Sequence, residues 1–194
     1  DTWEMVSALA KKAEGVDTDK QTLVIGFAET ATALGHLFAN HFRKAYYLTT
    51  TRENLGNSKC IEFREEHSHV VEQRLYYGEL ENAIKNAGDF SQVIFVDDEF
   101  TTGNTLRNLV TELLKAVPAL TKCNKFAVTV VDRISSENRL KLEELGIKVY
   151  SLLAFSDDNF SEQVKHIRVF EPLDTCLRKS ETISDFIKQQ EVKQ

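Results

Sequence analysis

Proline and glycine are scarce, with two and eight in 194 residues. That excludes a collagen-like or low-complexity chain and leaves room for regular elements. Cysteine is scarce too. Cys60, Cys123 and Cys176 are scattered, odd in number and not at metal-ligand spacing. Neither a disulfide scaffold nor a zinc knuckle is written in them, and the reading is idle thiols in a reducing compartment. The expected location is therefore cytoplasmic. No apolar run is long enough to span a bilayer and no secretory leader pattern appears, so no membrane partner is expected. No block of lysine or arginine stands out against a net charge of -6. A broad nucleic-acid surface is disfavoured, and no nucleic-acid partner is expected.

What is present is a core. Hydrophobic residues make up 42% of the chain, enough for one domain with a small appendage at most. The stretch that organises the rest runs from Val93 to Thr105. Val93, Ile94, Phe95 and Val96 read as a strand buried on both faces. Asp97 and Asp98 sit where that strand leaves the core. A hydroxyl-rich loop follows, with Thr101, Thr102 and Gly103, and a helix starts near Thr105. Its apolar stripe is Leu106, Leu109, Val110, Leu113, Leu114 and Val117, and Pro118 marks its end. Loop amides at a helix N-terminus favour an anion, and a phosphate monoester fits. The carboxylates upstream suit sugar hydroxyls. A phosphate cradle beside two diol acceptors describes a site for a ribose 5-phosphate unit.

This stretch resembles the thirteen-residue signature of type I phosphoribosyltransferases, which bind 5-phosphoribosyl pyrophosphate (PRPP). The resemblance implies that Asp97 and Asp98 hold the ribose 2′ and 3′ hydroxyls. It assigns the 5-phosphate to Glu99, Phe100, Thr101, Thr102, Gly103, Asn104 and Thr105. Glu99 departs from the small residue usual after the acidic pair.

Upstream, Thr2 reads as the cap of a helix carrying Trp3, Val6, Leu9, Ala10 and Ala13 inward, with Gly15 as its stop. Thr22–Phe27 reads as a buried strand that turns into a helix with Ala31, Leu34, Phe38 and Phe42 on its apolar face. Gly35 there allows close approach of helix and sheet. In the family the turn after this strand contacts the leaving pyrophosphate, largely through backbone N–H groups. The resemblance carries that role to Phe27, Ala28, Glu29 and Thr30. The basic residue usual in that turn is missing, and Glu29 either binds metal or water or repels pyrophosphate. Ala45–Arg52 reads as a second strand. Relatives of the orotate type carry a basic residue at its end, so Arg52 is a catalytic candidate alongside Asp97 and Asp98, with a surface salt bridge as the plainer alternative.

Residues 53–80 are less regular and more polar, where the family places a lid and part of a hood over the base. Glu65-Glu66-His67-Ser68-His69 is the most unusual chemistry in the chain. His67 and His69 are candidates for base recognition, proton transfer or metal binding, against a solvated polar hairpin. Phe126–Arg133 forms another buried strand. Ser135 or Ser136 caps a helix ended by Gly146, and Ile147–Leu153 is the next strand. Val130-Val131-Asp132-Arg133 with this helix and strand resembles orotate phosphoribosyltransferases, whose Arg at this point contacts the base carboxylate. Arg133 is thus a base-side candidate, or else the partner of Asp132. The remainder holds an edge strand over Ile167–Phe170 and an amphipathic end helix with Leu177, Ile183, Phe186 and Ile187.

Strands alternating with amphipathic helices predict an open, mainly parallel α/β sheet with flanking helices, Rossmann-like, in one domain over residues 1–194. The three loops then gather at the carboxyl ends of the strands. The resemblance implies a PRPP-dependent pentosyltransferase that joins or cleaves a base–ribose 5-phosphate bond. Its partners are PRPP, pyrophosphate and an unidentified nitrogenous base. Mg²⁺ is the implied cofactor, held mainly by PRPP and water, with no direct protein ligand assigned. Family relatives often form homodimers. Some relatives bind PRPP without turnover, so a regulatory protein stands as the alternative. The Gly26–Gly35 loop and the Glu65–His69 segment also resemble a narrower bacterial branch, orotate-phosphoribosyltransferase-like proteins of tellurite-resistance and stress gene clusters.

Overall fold

Apolar runs of four or five residues become strands covered on both sides, and the amphipathic stretches between them become the cover. The computed structural model describes residues 2–56, 58–64 and 72–155. They fall in one unit, Asp1–Asp158, while Asn159–Gln194 counts as a second unit that lies outside the described residues. The edge strand and end helix expected there lie outside them too.

In chain order the elements are helix α1 (Thr2–Lys12), strand β1 (Thr22–Gly26), helix α2 (Ala31–Ala39) and strand β2 (Ala45–Thr49). Strands β3 (Cys60–Arg64) and β4 (Glu72–Tyr76) and helix α3 (Gly78–Ala87) follow. Then come β5 (Gln92–Phe100), α4 (Asn104–Ala116), a 3-10 turn (Pro118–Lys122), β6 (Asn124–Asp132), α5 (Ser136–Glu144) and β7 (Ile147–Ala154). Five strands form one sheet in the order β2-β1-β5-β6-β7, every neighbouring pair parallel. β3 and β4 pair antiparallel as a separate hairpin. The open parallel α/β sheet is thus as expected.

Side-chain alternation divides the core. Leu23, Ile25, Val93 and Phe95 belong to one apolar cluster, with α4, Leu142 of α5 and the hairpin residues Ile61, Phe63 and Leu75. Val24, Ile94 and Val96 belong to the other, with α1 and α2. Successive strand residues face opposite sides, so a continuous apolar run serves both.

Three local expectations are corrected. Trp3 is 49% exposed and lies beside the His41 ring, 4.9 Å between centroids, instead of pointing inward from α1. β2 stops at Thr49, not Arg52, because β1 ends at Gly26 and Thr51 pairs instead with Arg74 of the hairpin. β5 runs on through Asp97, Asp98, Glu99 and Phe100, since β6 keeps pairing with it as far as Phe100↔Asp132. Cys123 is a buried thiol that donates to the Phe90 carbonyl at 2.9 Å, and burial pushes its pKa up. It behaves as a small apolar side chain. No helix among the described residues is long and apolar enough to cross a membrane.

Gly35 and Gly26 let α2 sit directly on β1. A Cβ built on Gly35 would lie 3.0 Å from the Gly26 Cα and from Cε2 of Tyr47. One on Gly26 would lie 2.6 Å from the Tyr47 hydroxyl and 3.1 Å from the Ala31 carbonyl. Gly35→Ala should therefore cost about 1–3 kcal/mol as an overpacked contact, read as a melting temperature lower by about 2–4 °C per kcal/mol. Gly78→Ala is the control. Its Cβ would meet only Lys59 Cβ at 3.9 Å, within a helix, so no loss is expected there.

Candidate active site

Because the five strands are parallel, the turns after β1, β2, β5 and β6 all leave at one edge of the sheet. The candidate residues Phe27–Thr30, Arg52, Asp97–Thr105 and Arg133 all follow, or end, one of these strands. A cavity of about 300 Å³ among the described residues is elsewhere. Its walls include Gln21, Lys44, Tyr46 and Phe90, which precede or begin β1, β2 and β5. It therefore opens toward the amino ends of the strands, away from the loop chemistry.

The acidic pair is the last part of β5. The alternation of Val93–Val96 does not continue through it, for Phe100 packs into the cluster of Val93 and Phe95 and not into that of Ile94 and Val96. Within this stretch the Asp98 N–H turns to Oδ1 of Asp97 at 2.9 Å. Asp97 and Asp98 are both half-buried and Glu99 is exposed. Phe100 is buried, so it offers the loop only its backbone.

The loop between β5 and α4 is shaped by Gly103, which caps α4 in the left-handed region at φ 74°. A Cβ here would lie 3.1 Å from Leu142 Cδ1 and 3.4 Å from Ile134 Cδ1. The loop thus rests on the β6–α5 turn. The Asn104 N–H donates to Thr102 Oγ1 at 3.3 Å, and the Gly103 carbonyl accepts from Arg107 at 3.0 Å. The first turn of α4 carries no acidic residue, so nothing on the helix itself offsets its positive end. Thr101, Thr102, Asn104 and Thr105 are all partly exposed around that end.

The turn after β1 is held more tightly than its sequence indicates. The Phe27 N–H donates to the Val96 carbonyl at 3.0 Å, and its ring meets Phe63 edge-on at 6.3 Å. The Ala28 N–H donates to Thr50 Oγ1 at 2.7 Å, and the Ala28 carbonyl accepts from Gln73 Nε2 at 3.2 Å. The peptide between Ala28 and Glu29 is cis. Two of the four amides expected to face an anion are therefore used inside the protein. The next two, on exposed Glu29 and Thr30, donate to no group among the described residues. Thr30 precedes α2 and makes no side-chain cap, and the first turn of α2 holds no acid.

Two arginines follow strands at this edge. Arg52 is exposed just beyond β2, and its carbonyl accepts from Arg74 Nη1 at 3.0 Å. Arg133 reaches back to β5, with Nη1 3.0 Å from Glu99 Oε1. Asp132 is not its partner. Asp132 is buried, accepts from the Ile134 N–H at 2.9 Å, and pairs with Arg139 at 2.6 Å. Ser135 does cap α5, accepting from the Asn138 N–H at 3.3 Å. His67 and His69 lie outside the described residues. Among those described, no three His, Cys, Asp or Glu side chains gather as a metal-ligand group. The carboxylates of Asp97, Asp98 and Glu29 are hard oxygen donors at this edge, of the kind Mg²⁺ accepts.

Sequence reasoning missed Thr50, Gln73 and the Glu99–Arg133 pair. Gln73 stands between two charged residues in a polar stretch, and nothing local marks it as wholly buried.

A family model described as phosphoribosyl transferase matches residues 2–155. No curated protein matches the sequence significantly. Solved structures do match in fold. Adenine phosphoribosyltransferase from Leishmania donovani is 15% identical, with 97% of this chain and 76% of that chain covered and a TM-score of 0.56. The enzyme of the same name from Thermoanaerobacter pseudethanolicus is 16% identical over 79% and 80% of the two chains, with a TM-score of 0.55. That from Trypanosoma brucei, solved with AMP, pyrophosphate and ribose-5-phosphate, is 13% identical over 92% and 76%, with a TM-score of 0.53.

Proposed function

The chain belongs to the phosphoribosyl transferase family, and from that premise we propose that this edge of the sheet moves a ribose 5-phosphate unit between pyrophosphate and a nitrogenous base, with PRPP as the activated donor. The observation that carries the reading is the meeting of two anion-type turns with an acidic pair at one edge of a parallel sheet. One turn, Thr101–Thr105, suits the 5-phosphate. The other, at Glu29 and Thr30, suits the pyrophosphate. Asp97 and Asp98 lie at the end of β5, where a ribose diol would sit between the two.

The chemistry is a substitution at ribose C1. The bond from C1 to the pyrophosphate oxygen breaks with its electron pair, a bond from C1 to a base nitrogen forms, and the base loses the proton from that nitrogen. The sugar passes through a cation-like state, so fixed carboxylates nearby lower its energy, and rigid loops hold it in line. Arg52, just beyond the neighbouring strand β2, is the cation for the leaving group. Mg²⁺ would be held mainly by PRPP and water, with the carboxylates of this edge as the protein donors, and would supply charge neutralisation for the leaving group. Arg133 stands on the base side, steadied by Glu99. The orotate-like character and the tellurite-resistance branch rest on the residue patterns around Arg133, Gly26–Gly35 and Glu65–His69.

The test has two arms. Calorimetry with PRPP and Mg²⁺ should show binding at one site per chain, and heat no larger than with buffer would remove the proposal. Pyrophosphate release measured across a panel of purine and pyrimidine bases should be stimulated by at least one of them. Binding without release on any base would leave a PRPP-sensing regulator in place of an enzyme.

A further inference from the structure

Two buried polar side chains outside the expected loops converge on the turn after β1. Thr50 is 1% exposed and Gln73 0%. A buried hydroxyl or amide is costly unless it is bonded. Here the Thr50 hydroxyl and the Gln73 amide nitrogen meet one residue, Ala28: Thr50 Oγ1 takes its N–H at 2.7 Å and Gln73 Nε2 donates to its carbonyl at 3.2 Å. They arrive from different elements. Thr50 follows β2, where its own N–H bonds the Gly26 carbonyl at 3.0 Å. Gln73 comes from β4, one residue before Arg74, which pairs with Thr51 through two backbone bonds of 2.8 Å.

We propose that Thr50 and Gln73 are positioning residues for pyrophosphate, fixing Ala28 from both sides so that the next two amides, of Glu29 and Thr30, face the anion. This inference rests on the proposed transfer reaction and adds to it the groups that orient its leaving-group turn. The physical reason is that amide donors bind an anion well only when they need no reorganisation. A turn of this length has no intrinsic rigidity. Its backbone direction is set by the groups holding Ala28, and both holders are shielded from competing water. Gln73 therefore acts through Ala28 and not on the anion itself.

The experiment compares two ligands that divide the site. Pyrophosphate with Mg²⁺ reports on the Glu29–Thr30 turn, and ribose 5-phosphate reports on Asp97, Asp98 and Thr101–Thr105. Thr50→Val keeps the shape and removes the hydroxyl. Gln73→Met keeps length and removes the amide. Each should weaken pyrophosphate binding by about tenfold or more, as expected for a buried partner left unbonded, while ribose 5-phosphate affinity stays within about twofold. Thr50→Ser should restore most of the loss. Unchanged pyrophosphate affinity in folded Thr50→Val and Gln73→Met overturns the inference. Equal weakening of both ligands with a lowered melting temperature also overturns it, as a purely structural effect. Should Thr50→Val fail to fold, Gln73→Met and the Thr50→Ser comparison decide. Wild-type protein that binds neither ligand refutes the transfer reaction itself, and the inference with it.

Discussion

Asp97→Asn combined with Asp98→Asn should lower PRPP affinity, or turnover at limiting PRPP, by roughly 30- to 150-fold. A hydrogen bond from a sugar hydroxyl to a carboxylate contributes about 1.5–3 kcal/mol and one to a neutral acceptor about 0.5–1.5, so exchanging two acceptors loses about 2–3 kcal/mol. The amide oxygen of asparagine still accepts. The Asp98 N–H can therefore keep its bond to the side chain at position 97, now 2.9 Å long in the native protein. Neither carboxyl is fully buried, so the melting temperature should move by only a degree or two. Turnover has a second reason to fall, since the amides no longer offset positive charge near C1. The check is calorimetry and pyrophosphate release on the same preparation, beside a thermal melt. Undiminished binding in a folded double variant would remove these residues from the site.

Gly103→Val should damage both stability and phosphate binding. The left-handed backbone at φ 74° costs an L residue about 1–2 kcal/mol, and more for a branched one. The added carbon would stand 3.1 Å from Leu142 and 3.4 Å from Ile134, an overpacked contact of about 1–3 kcal/mol. Together these predict a loss of roughly 2–5 kcal/mol. Relief would require the loop to lift from the β6–α5 turn, and the amides at the start of α4 would lift with it. Ribose 5-phosphate binding should then weaken even in protein that remains folded. Gly103→Ala separates the two causes: it keeps most of the backbone cost with a smaller collision, so its stability loss should be the lesser. Equal affinity for ribose 5-phosphate in wild type and both variants would mean that this loop does not carry the phosphate.

The central strand, the acidic pair and the start of α4 are legible because each is a local pattern. Val93–Val96 can be buried only on both faces, Gly103 permits a turn that other residues resist, and the stripe from Leu106 to Leu113 specifies a helix lying on the sheet. The common edge follows from those patterns too, once alternating strands and helices imply a parallel sheet. The bounds were less legible. Asp97–Phe100 belong to β5 only because β6 extends alongside them, and Arg52 lies past β2 only because β1 has ended.

Composition and apolar periodicity determined the sheet, its helices and the edge where the candidate loops collect, since burial of apolar surface depends on spacing along the chain. The partners of the polar groups were decided by the tertiary structure alone. Thr50 meets Ala28 across 22 residues, Arg133 meets Glu99 across 34 and Gln73 meets Ala28 across 45. A hydrogen bond needs a donor and acceptor within about 3 Å, and only the order of strands and the placement of the hairpin bring those atoms together.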